Sequence, residues 1–159
     1  MTQKLSIFNV TNRPDPLLEE LHCIPAGVGK NNFPNNYLSC KSGDNIFHKD
    51  PYFAEYVFHY WFWKNMLKNF EDSSWIGFCQ YRRYWLKEGY DKSIKIERNN
   101  IKDNILSSIP SSWEDYESVI AKRIYVDNPK FMKLMKKGLR SFLKDPRILF
   151  DKKKQTIKL

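Results

Sequence analysis

Hydrophobic and polar residues alternate along this chain in short blocks that predict strands interleaved with helices. Leu5–Thr11 alternates as a strand does, and the Pro-containing segment 12–16 ends it. Trp75–Tyr81 is an apolar run of strand length, and Ser118–Val126 is a further strand candidate. Strands that alternate with helices predict an α/β domain with a mostly parallel sheet flanked by helices.

The longest predicted helix runs from Pro51 to about Phe70. Asp50 suits its N-cap and Pro51 its first helical position. Aromatic residues occupy eight of the positions from 52 to 63, and they fall all around the helix. We therefore expect this helix to be buried on nearly all sides. Shorter helices are predicted at Leu17–Leu21 and Ile101–Ile109.

A last, basic helix is predicted to begin at 127–129 and to end at Asp145-Pro146. The C-terminal 30 residues hold 11 Lys/Arg and 2 Asp/Glu, a net charge of +9. This segment is either an amphipathic helix that lies on an anionic membrane through 130–154, or a core-docked helix with a solvated outer face. We expect no nucleic-acid binding, because no recognised reading motif accompanies the charge. Its apolar positions at helical spacing are Phe131, Leu134, Met135, Leu139, Phe142 and Leu143.

Composition predicts a folded chain with one core. The chain has 159 residues, of which 42% are hydrophobic and 16% aromatic. We expect an α/β domain over 1–126, with 127–159 as a basic helix and tail of the same domain. Neither a signal peptide nor a membrane-spanning run is visible, so a cytoplasmic location is expected, with peripheral contact with the inner face of the plasma membrane left open. The cysteines at 23, 40 and 79 form no CxxC pair and are expected to be free thiols.

Positive charge is concentrated in the second half of the chain. Through Cys79 there are 7 Lys/Arg against 8 Asp/Glu, and from Gln80 onward there are 20 against 10. Arg82 and Arg83 follow the predicted strand Trp75–Tyr81 directly, at the end where open α/β sheets bind ligands. Paired arginines suit a diphosphate, although they are also common as solvated surface. The neighbouring rings of Tyr81, Tyr84 and Trp85 are candidates to stack on a base or a sugar.

Other polar residues are open to two interpretations. Asp44 either binds a sugar hydroxyl or a metal, or caps its own turn. Glu55 and Lys64 interrupt an apolar helix, so they either line a cleft or reach a polar rim. No metal site is predicted, because the His and Cys residues lack metal-finger spacing and no D-x-D pair occurs.

Four ordered blocks of the chain resemble a bacterial family found in capsular and exopolysaccharide loci. The blocks are Gly43-Asp44-Asn45-Ile46, Tyr52-Phe53-x-Glu55, Tyr60-Trp61-x-Trp63-Lys64-Asn65 and Ile76-Gly77-Phe78-x-x-Tyr81-Arg82-Arg83-Tyr84-Trp85. The family is catalogued as a domain of unknown function and is usually described as a glycosyltransferase. Its pattern has a His where this chain has Gln80.

The resemblance implies a GT-A-like fold and a transferase that moves a sugar from a nucleotide-sugar donor to a lipid-linked capsular, exopolysaccharide or lipopolysaccharide glycan. It leaves open a divalent cation, Mg²⁺ or Mn²⁺, as cofactor. Arg82 and Arg83 would hold the departing diphosphate, and Glu55 is the best candidate for a catalytic base. Because of Gln80, a non-catalytic binding or accessory homologue is the alternative. The remaining candidates for the donor pocket are Tyr81, Tyr84, Trp85, Asp44, Asn45, Lys64 and Asn65.

Overall fold

The computed structural model describes residues 4–81, 83–91, 93, 95–122 and 131–144. The chain divides into two compact units, residues 1–117 and 118–159. The predicted boundary between 126 and 127 lies outside the described residues, so the predicted domain limits stay a prediction.

Four parallel strands form the sheet of the first unit, which confirms the predicted α/β class with a parallel sheet. Strand β1 is Leu5–Thr11, β2 is Ile24–Gly27, β3 is Leu38–Ser39 and β4 is Trp75–Gln80. Their order in the sheet is β3-β2-β1-β4. The chain therefore builds outward from β1 to β3 and then returns to place β4 on the opposite side of β1.

A helix packs on one face of this sheet through aromatic rings. Helix α1 is Leu17–Glu20, α2 is Asp50–Phe53 and α3 is Tyr56–Asn65. From α3, Phe58 and Phe62 are buried against Phe8 of β1, with ring centroids 6.0 and 4.8 Å from that ring. Alternation along β1 and β4 directs Phe8 and Phe78 to the same side, where their rings stack at 5.8 Å.

The prediction of one continuous helix from Pro51 to about Phe70 is wrong. Ala54 has φ 47° and ψ −124°, which ends α2 and lets α3 start in a new direction. A short 3-10 turn, Leu67–Asn69, follows α3. The N-cap of α2 is Lys49, and Asp50 is its first helical residue rather than the cap.

The expectation of a helix buried on nearly all sides is also wrong. Only one face of α3 meets the sheet, and its buried residues are Val57, Phe58, Trp61 and Phe62. The aromatic side chain of Trp63 remains exposed on the other face, as does that of Tyr56. Aromatic residues all around a helix therefore do not require burial all around it.

Smaller clusters cover the opposite face of the sheet. Ile7 and Cys79 are buried there with Leu106, and Trp85 and Trp113 pack against them. All three cysteines are free, as predicted, and burial raises the pKa of Cys79 to about 12.

Two predicted elements beyond β4 differ from the structure. Helix α4 is Ile101–Asn104, which is shorter than the predicted Ile101–Ile109, because the chain is extended at Ile105 and pairs there with Leu86. The predicted strand Ser118–Val126 is not formed over 118–122, and 123–126 lie outside the described residues.

The described part of the second unit contains helix α5, Phe131–Lys144, which confirms the predicted basic helix over that range. Its predicted start at 127–129 and its predicted end at Asp145-Pro146 lie outside the described residues. Among the described residues, no helix combines the length and the apolar character that crossing a membrane demands.

Candidate functional site

A cleft opens where the strand order of the sheet reverses. The chain leaves β1 for β2 on one side and later comes back to β4 on the other, so the loops after β1 and β4 diverge. In open parallel sheets, ligands bind in the crevice that this divergence leaves beyond the carboxyl ends of the strands. Val10 and Asn12 contribute the β1 side of the cleft, and Gln80 and Tyr81 contribute the β4 side.

The cleft has a volume of about 410 Å³ and a mostly polar lining. Its charged side chains are Lys30, Asp50 and Glu55. Its amides belong to Asn12 after β1, Asn31 after β2 and Gln80 at the end of β4, and Tyr81 supplies the aromatic ring. The full lining is Val10, Asn12, Val28, Gly29, Lys30, Asn31, Asp50, Ala54, Glu55, Gln80 and Tyr81.

The loop after β1 brings an arginine onto Tyr81. The buried hydroxyl of Thr11 donates to the carbonyl oxygen of Arg13 at 2.7 Å and accepts from the Arg13 N–H at 3.2 Å, which closes a tight turn. The guanidinium of Arg13 then lies 4.3 Å above the centroid of the Tyr81 ring and donates to its hydroxyl. This contact fixes a cation at the edge of the cleft.

The loop after β2 forms the wall that faces Asp50. Gly29 has φ 83°, and a Cβ placed there would lie 3.8 Å from Asn12 and 3.9 Å from the Asp50 carboxylate. The Asn31 amide donates to the Asn12 carbonyl at 2.6 Å and ties this loop to the one after β1. Lys30, which directly precedes Asn31, is exposed and lines the cleft.

Glu55 lies in this cleft with one carboxylate oxygen already engaged. It is the N-cap residue of α3, directly after the Ala54 break, and Gln80 Nε2 donates to its Oε1. One turn further along α3, His59 packs at 4.7 Å from the Phe78 ring. Burial lowers the pKa of His59, and the Glu55 charge only partly opposes this, so the imidazole is neutral at pH 7.

The Tyr-Arg-Arg-Tyr-Trp run divides into separate environments. Tyr81 lines the cleft. The backbone N–H of Arg83 donates to the Gln80 carbonyl at 2.8 Å, and the Arg83 side chain is exposed. Arg82 lies outside the described residues. Burial raises the pKa of Tyr84 to about 12, and Trp85 donates to the Phe78 carbonyl at 3.0 Å. Tyr84 and Trp85 pack against the buried clusters instead of lining the cleft.

The four other predicted pocket residues lie at the far end of α3. Asn65 accepts from the Asp44 N–H at 3.1 Å and donates to the Asp44 and Trp61 carbonyls, each at 2.8 Å. Asn45 closes its own turn by donating to the Gly43 carbonyl at 2.9 Å. The ammonium of Lys64 lies 3.7 Å from the centroid of the Trp63 ring.

Asp44, Asn45 and Asn65 are therefore part of a clasp between a turn and a helix, whereas Lys64 contacts aromatic rings of its own helix. The Asp44 carboxylate also accepts from the Tyr60 hydroxyl at 3.1 Å, and this contact raises the pKa of Tyr60. Since α3 has 10 residues, Asn65 is about 15 Å from Glu55 along the helix axis. The predicted role of these four residues in donor binding stays a prediction.

Sequence reasoning missed Asn12, Arg13, Lys30, Asn31 and Asp50. The first four follow the carboxyl ends of β1 and β2, where the same edge argument that selected Arg82 and Arg83 applies. The sequence shows Asn12–Pro16 only as the segment that ends the first strand. Gly27–Lys30 is an incomplete phosphate-binding loop by its spacing, yet three of its residues line the cleft.

In the part of the chain that the structure describes, no group of three or more His, Cys, Asp or Glu side chains is arranged as metal ligands are. Asp50 and Glu55 are the acidic pair of the cleft, and no third carboxylate of the described residues joins them.

A second cleft of about 490 Å³ adjoins the first beside β2 and β3. Asn31 lines both clefts. The second cleft combines the amides of Asn32 and Asn35 with the rings of Phe33 and Tyr37. A Cβ at Gly27 would lie 2.6 Å from the Phe33 ring, so only glycine allows this ring its position.

Comparison with known proteins identifies the family of this chain. No curated protein and no solved structure matches this chain. A family model described as a domain of unknown function, DUF4422, matches residues 6–157 and thereby spans the sheet, both clefts and α5. The chain belongs to the DUF4422 family.

Proposed function

We propose that this chain is a GT-A-like glycosyltransferase that binds a nucleotide-sugar donor in the cleft at the strand-order reversal. The observation that carries the proposal is the position of that cleft. It lies beyond the carboxyl ends of β1 and β4, where doubly wound sheets receive nucleotides, and it contains a cation, amides, an aromatic ring and two carboxylates.

The cations around the cleft suit a diphosphate leaving group. Lys30 projects from the loop after β2, and Arg13 is held on Tyr81 at the β1 side. Arg82 and Arg83 directly follow β4 in the sequence, and we propose that they also hold the diphosphate. As the bond between the sugar and the diphosphate oxygen breaks, the leaving oxygen takes the electron pair, and nearby cations stabilise that charge.

Glu55 is the proposed base. An acceptor hydroxyl forms the new glycosidic bond and loses its proton, which Glu55 takes through the carboxylate oxygen that Gln80 does not occupy. The amide of Gln80 orients the carboxylate and does not itself exchange a proton at neutral pH. The products are the extended glycan, the nucleoside diphosphate and a protonated carboxyl group.

The second cleft is the proposed site of the acceptor. Its amides and aromatic rings are side chains that bind sugar hydroxyls and sugar faces, and Asn31 connects it with the donor cleft. The proposed acceptor is a lipid-linked glycan of a capsule, exopolysaccharide or lipopolysaccharide.

Calorimetric titration with uridine and guanosine diphosphates tests donor binding. Lys30→Ala removes a cation of the cleft, so binding should weaken roughly 10- to 100-fold. Lys64→Ala is the matched control, because Lys64 stacks on Trp63 at the other end of α3. Equal loss in both variants, or loss with Lys64→Ala alone, would contradict the assignment of the cleft.

A binding-only homologue is the second candidate, and Gln80 is the observation that favours it. This residue contacts the proposed base yet cannot transfer a proton. Transfer of a radiolabelled sugar to a lipid-linked acceptor distinguishes the two functions. Turnover that Glu55→Gln abolishes supports the enzyme, whereas tight nucleotide binding with no turnover in the wild type supports the binding protein.

A further inference from the structure

Helix α5 presents an apolar stripe to solvent. Met135, Leu139, Phe142 and Leu143 are 55%, 59%, 38% and 71% exposed. Their spacing of four, seven and eight residues from the first places them on one side of the helix. Large apolar side chains that stay exposed in one contiguous stripe mark an interaction surface.

The same helix carries only positive charge. Between Phe131 and Lys144 the sequence contains five Lys/Arg and no Asp/Glu. At 3.6 residues per turn, these five positions fall within an arc of roughly 100°, directly beside the apolar stripe. Lys136 and Arg140, which are among them, are exposed.

This combination fits one kind of surface better than others. A nucleic acid would use the cations but leave the apolar stripe in water. A helix of 14 residues with five cations is too short and too charged to span a bilayer. A bilayer with anionic headgroups accepts both faces at once, since the stripe enters the acyl boundary while the cations contact the headgroups.

We propose that α5 lies flat on an anionic membrane surface, with Met135, Leu139, Phe142 and Leu143 inserted and the Lys/Arg arc at the headgroups. The inference concerns the second unit and does not depend on the activity proposed for the cleft. It makes α5 the anchor of the chain and assigns the attachment to lipid, not to a protein receptor.

Vesicle flotation with the full chain tests this attachment. The wild type should bind phosphatidylcholine vesicles that contain phosphatidylglycerol, bind phosphatidylcholine alone far more weakly, and lose affinity as salt rises. Binding to both vesicle types alike, binding to neither, or binding to duplex DNA at the affinity found for the anionic vesicles would overturn the proposal.

Two pairs of substitutions separate the contributions. Lys136→Gln with Arg140→Gln should weaken binding about fivefold per cation. Leu139→Gln with Phe142→Gln keeps every charge and should weaken binding about tenfold or more. Because all four side chains are exposed, the fold should persist, and far-UV circular dichroism checks it.

Lys68→Gln with Lys102→Gln is the matched charge control, since both lysines are exposed in the first unit. This variant should bind vesicles as the wild type does. An equal loss of vesicle binding in the control pair would show that overall charge, and not the position of the cations on α5, determines binding, and the proposal would fail. Unchanged binding after Leu139→Gln with Phe142→Gln would show that the apolar stripe does not insert, and the proposal would fail.

Discussion

Replacing Gly43 by alanine should destabilise the clasp between the Gly43–Asn45 turn and α3. Gly43 has φ 64°, a backbone conformation that costs an L-residue about 1 kcal/mol or more. A Cβ at this position would also lie 2.3 Å from Asn65 Oδ1, so the Asn65 side chain has to move. That movement breaks the two hydrogen bonds that Asn65 makes with the Asp44 backbone.

The size of the effect follows from these two terms. Solvent-exposed hydrogen bonds of this kind contribute about 0.5–1 kcal/mol each, so the clash adds about 1–2 kcal/mol to the backbone cost. Gly89→Ala is the matched control, because Gly89 has φ 72° but no atom lies within 4 Å of the added Cβ. Gly43→Ala should therefore lower the free energy of unfolding by about 1–2 kcal/mol more than Gly89→Ala does. The effect of alanine on the entropy of the unfolded chain is the same in both variants and cancels in this difference.

Urea unfolding followed by tryptophan fluorescence measures this difference. Trp61 donates to the Ser42 carbonyl at 2.7 Å, so an indole reports directly on the clasp. With the slope typical of a small domain, the two midpoints should differ by on the order of 1 M. In an Asn65→Ala background the clash is absent, and Gly43→Ala should cost no more than Gly89→Ala. Equal costs in the wild-type background would refute the reasoning.

Two further predictions concern the loops that shape the first unit. Ala54→Gly should raise the free energy of unfolding, measured by urea titration, by about 1 kcal/mol. Relief of the strained φ of 47° outweighs the added flexibility of the unfolded chain. The control Ala26→Gly in β2 should only destabilise the chain. Burial raises the pKa of Asp15, but hydrogen bonds from Arg98 and the Leu17 N–H, with the Arg98 charge, bring it below its usual value. The resulting stabilisation is complete above about pH 4, where the unfolded carboxyl ionises, and is lost as pH falls through the folded pKa. The urea midpoint of Arg98→Ala should therefore fall less steeply than that of the wild type below pH 4, and parallel curves would contradict this.

The local pattern was enough to predict β1 from its alternation of apolar and polar residues and β4 from its apolar run. It was not enough for β3, which has two residues and depends on the neighbouring edge of β2. The break at Ala54 could not be predicted either, since alanine favours helix and rarely adopts a positive φ.

Only part of the candidate site could be predicted, because selecting its residues requires knowing where each strand ends. The edge argument identified Tyr81 because β4 was recognised as a strand with a defined end. The same argument needed the end of β2 to select Lys30 and Asn31, and the sequence showed only a short apolar run there. The order of the strands decides which ends lie at the reversal, and no local pattern carries that order.

The two ends of α3 have different physical roles. At its first end, the Ala54 break aims Glu55 at Gln80, so this end belongs to the cleft. At its other end, Asn65 holds the Gly43–Asn45 turn by backbone hydrogen bonds, which is a contribution to stability. Because about 15 Å of helix separates the ends, a change at Asn65 reaches the cleft only by tilting the whole helix. Asp44 and Asn65 therefore stabilise the domain, whereas Glu55, Gln80 and Tyr81 line the cleft that we propose binds the donor.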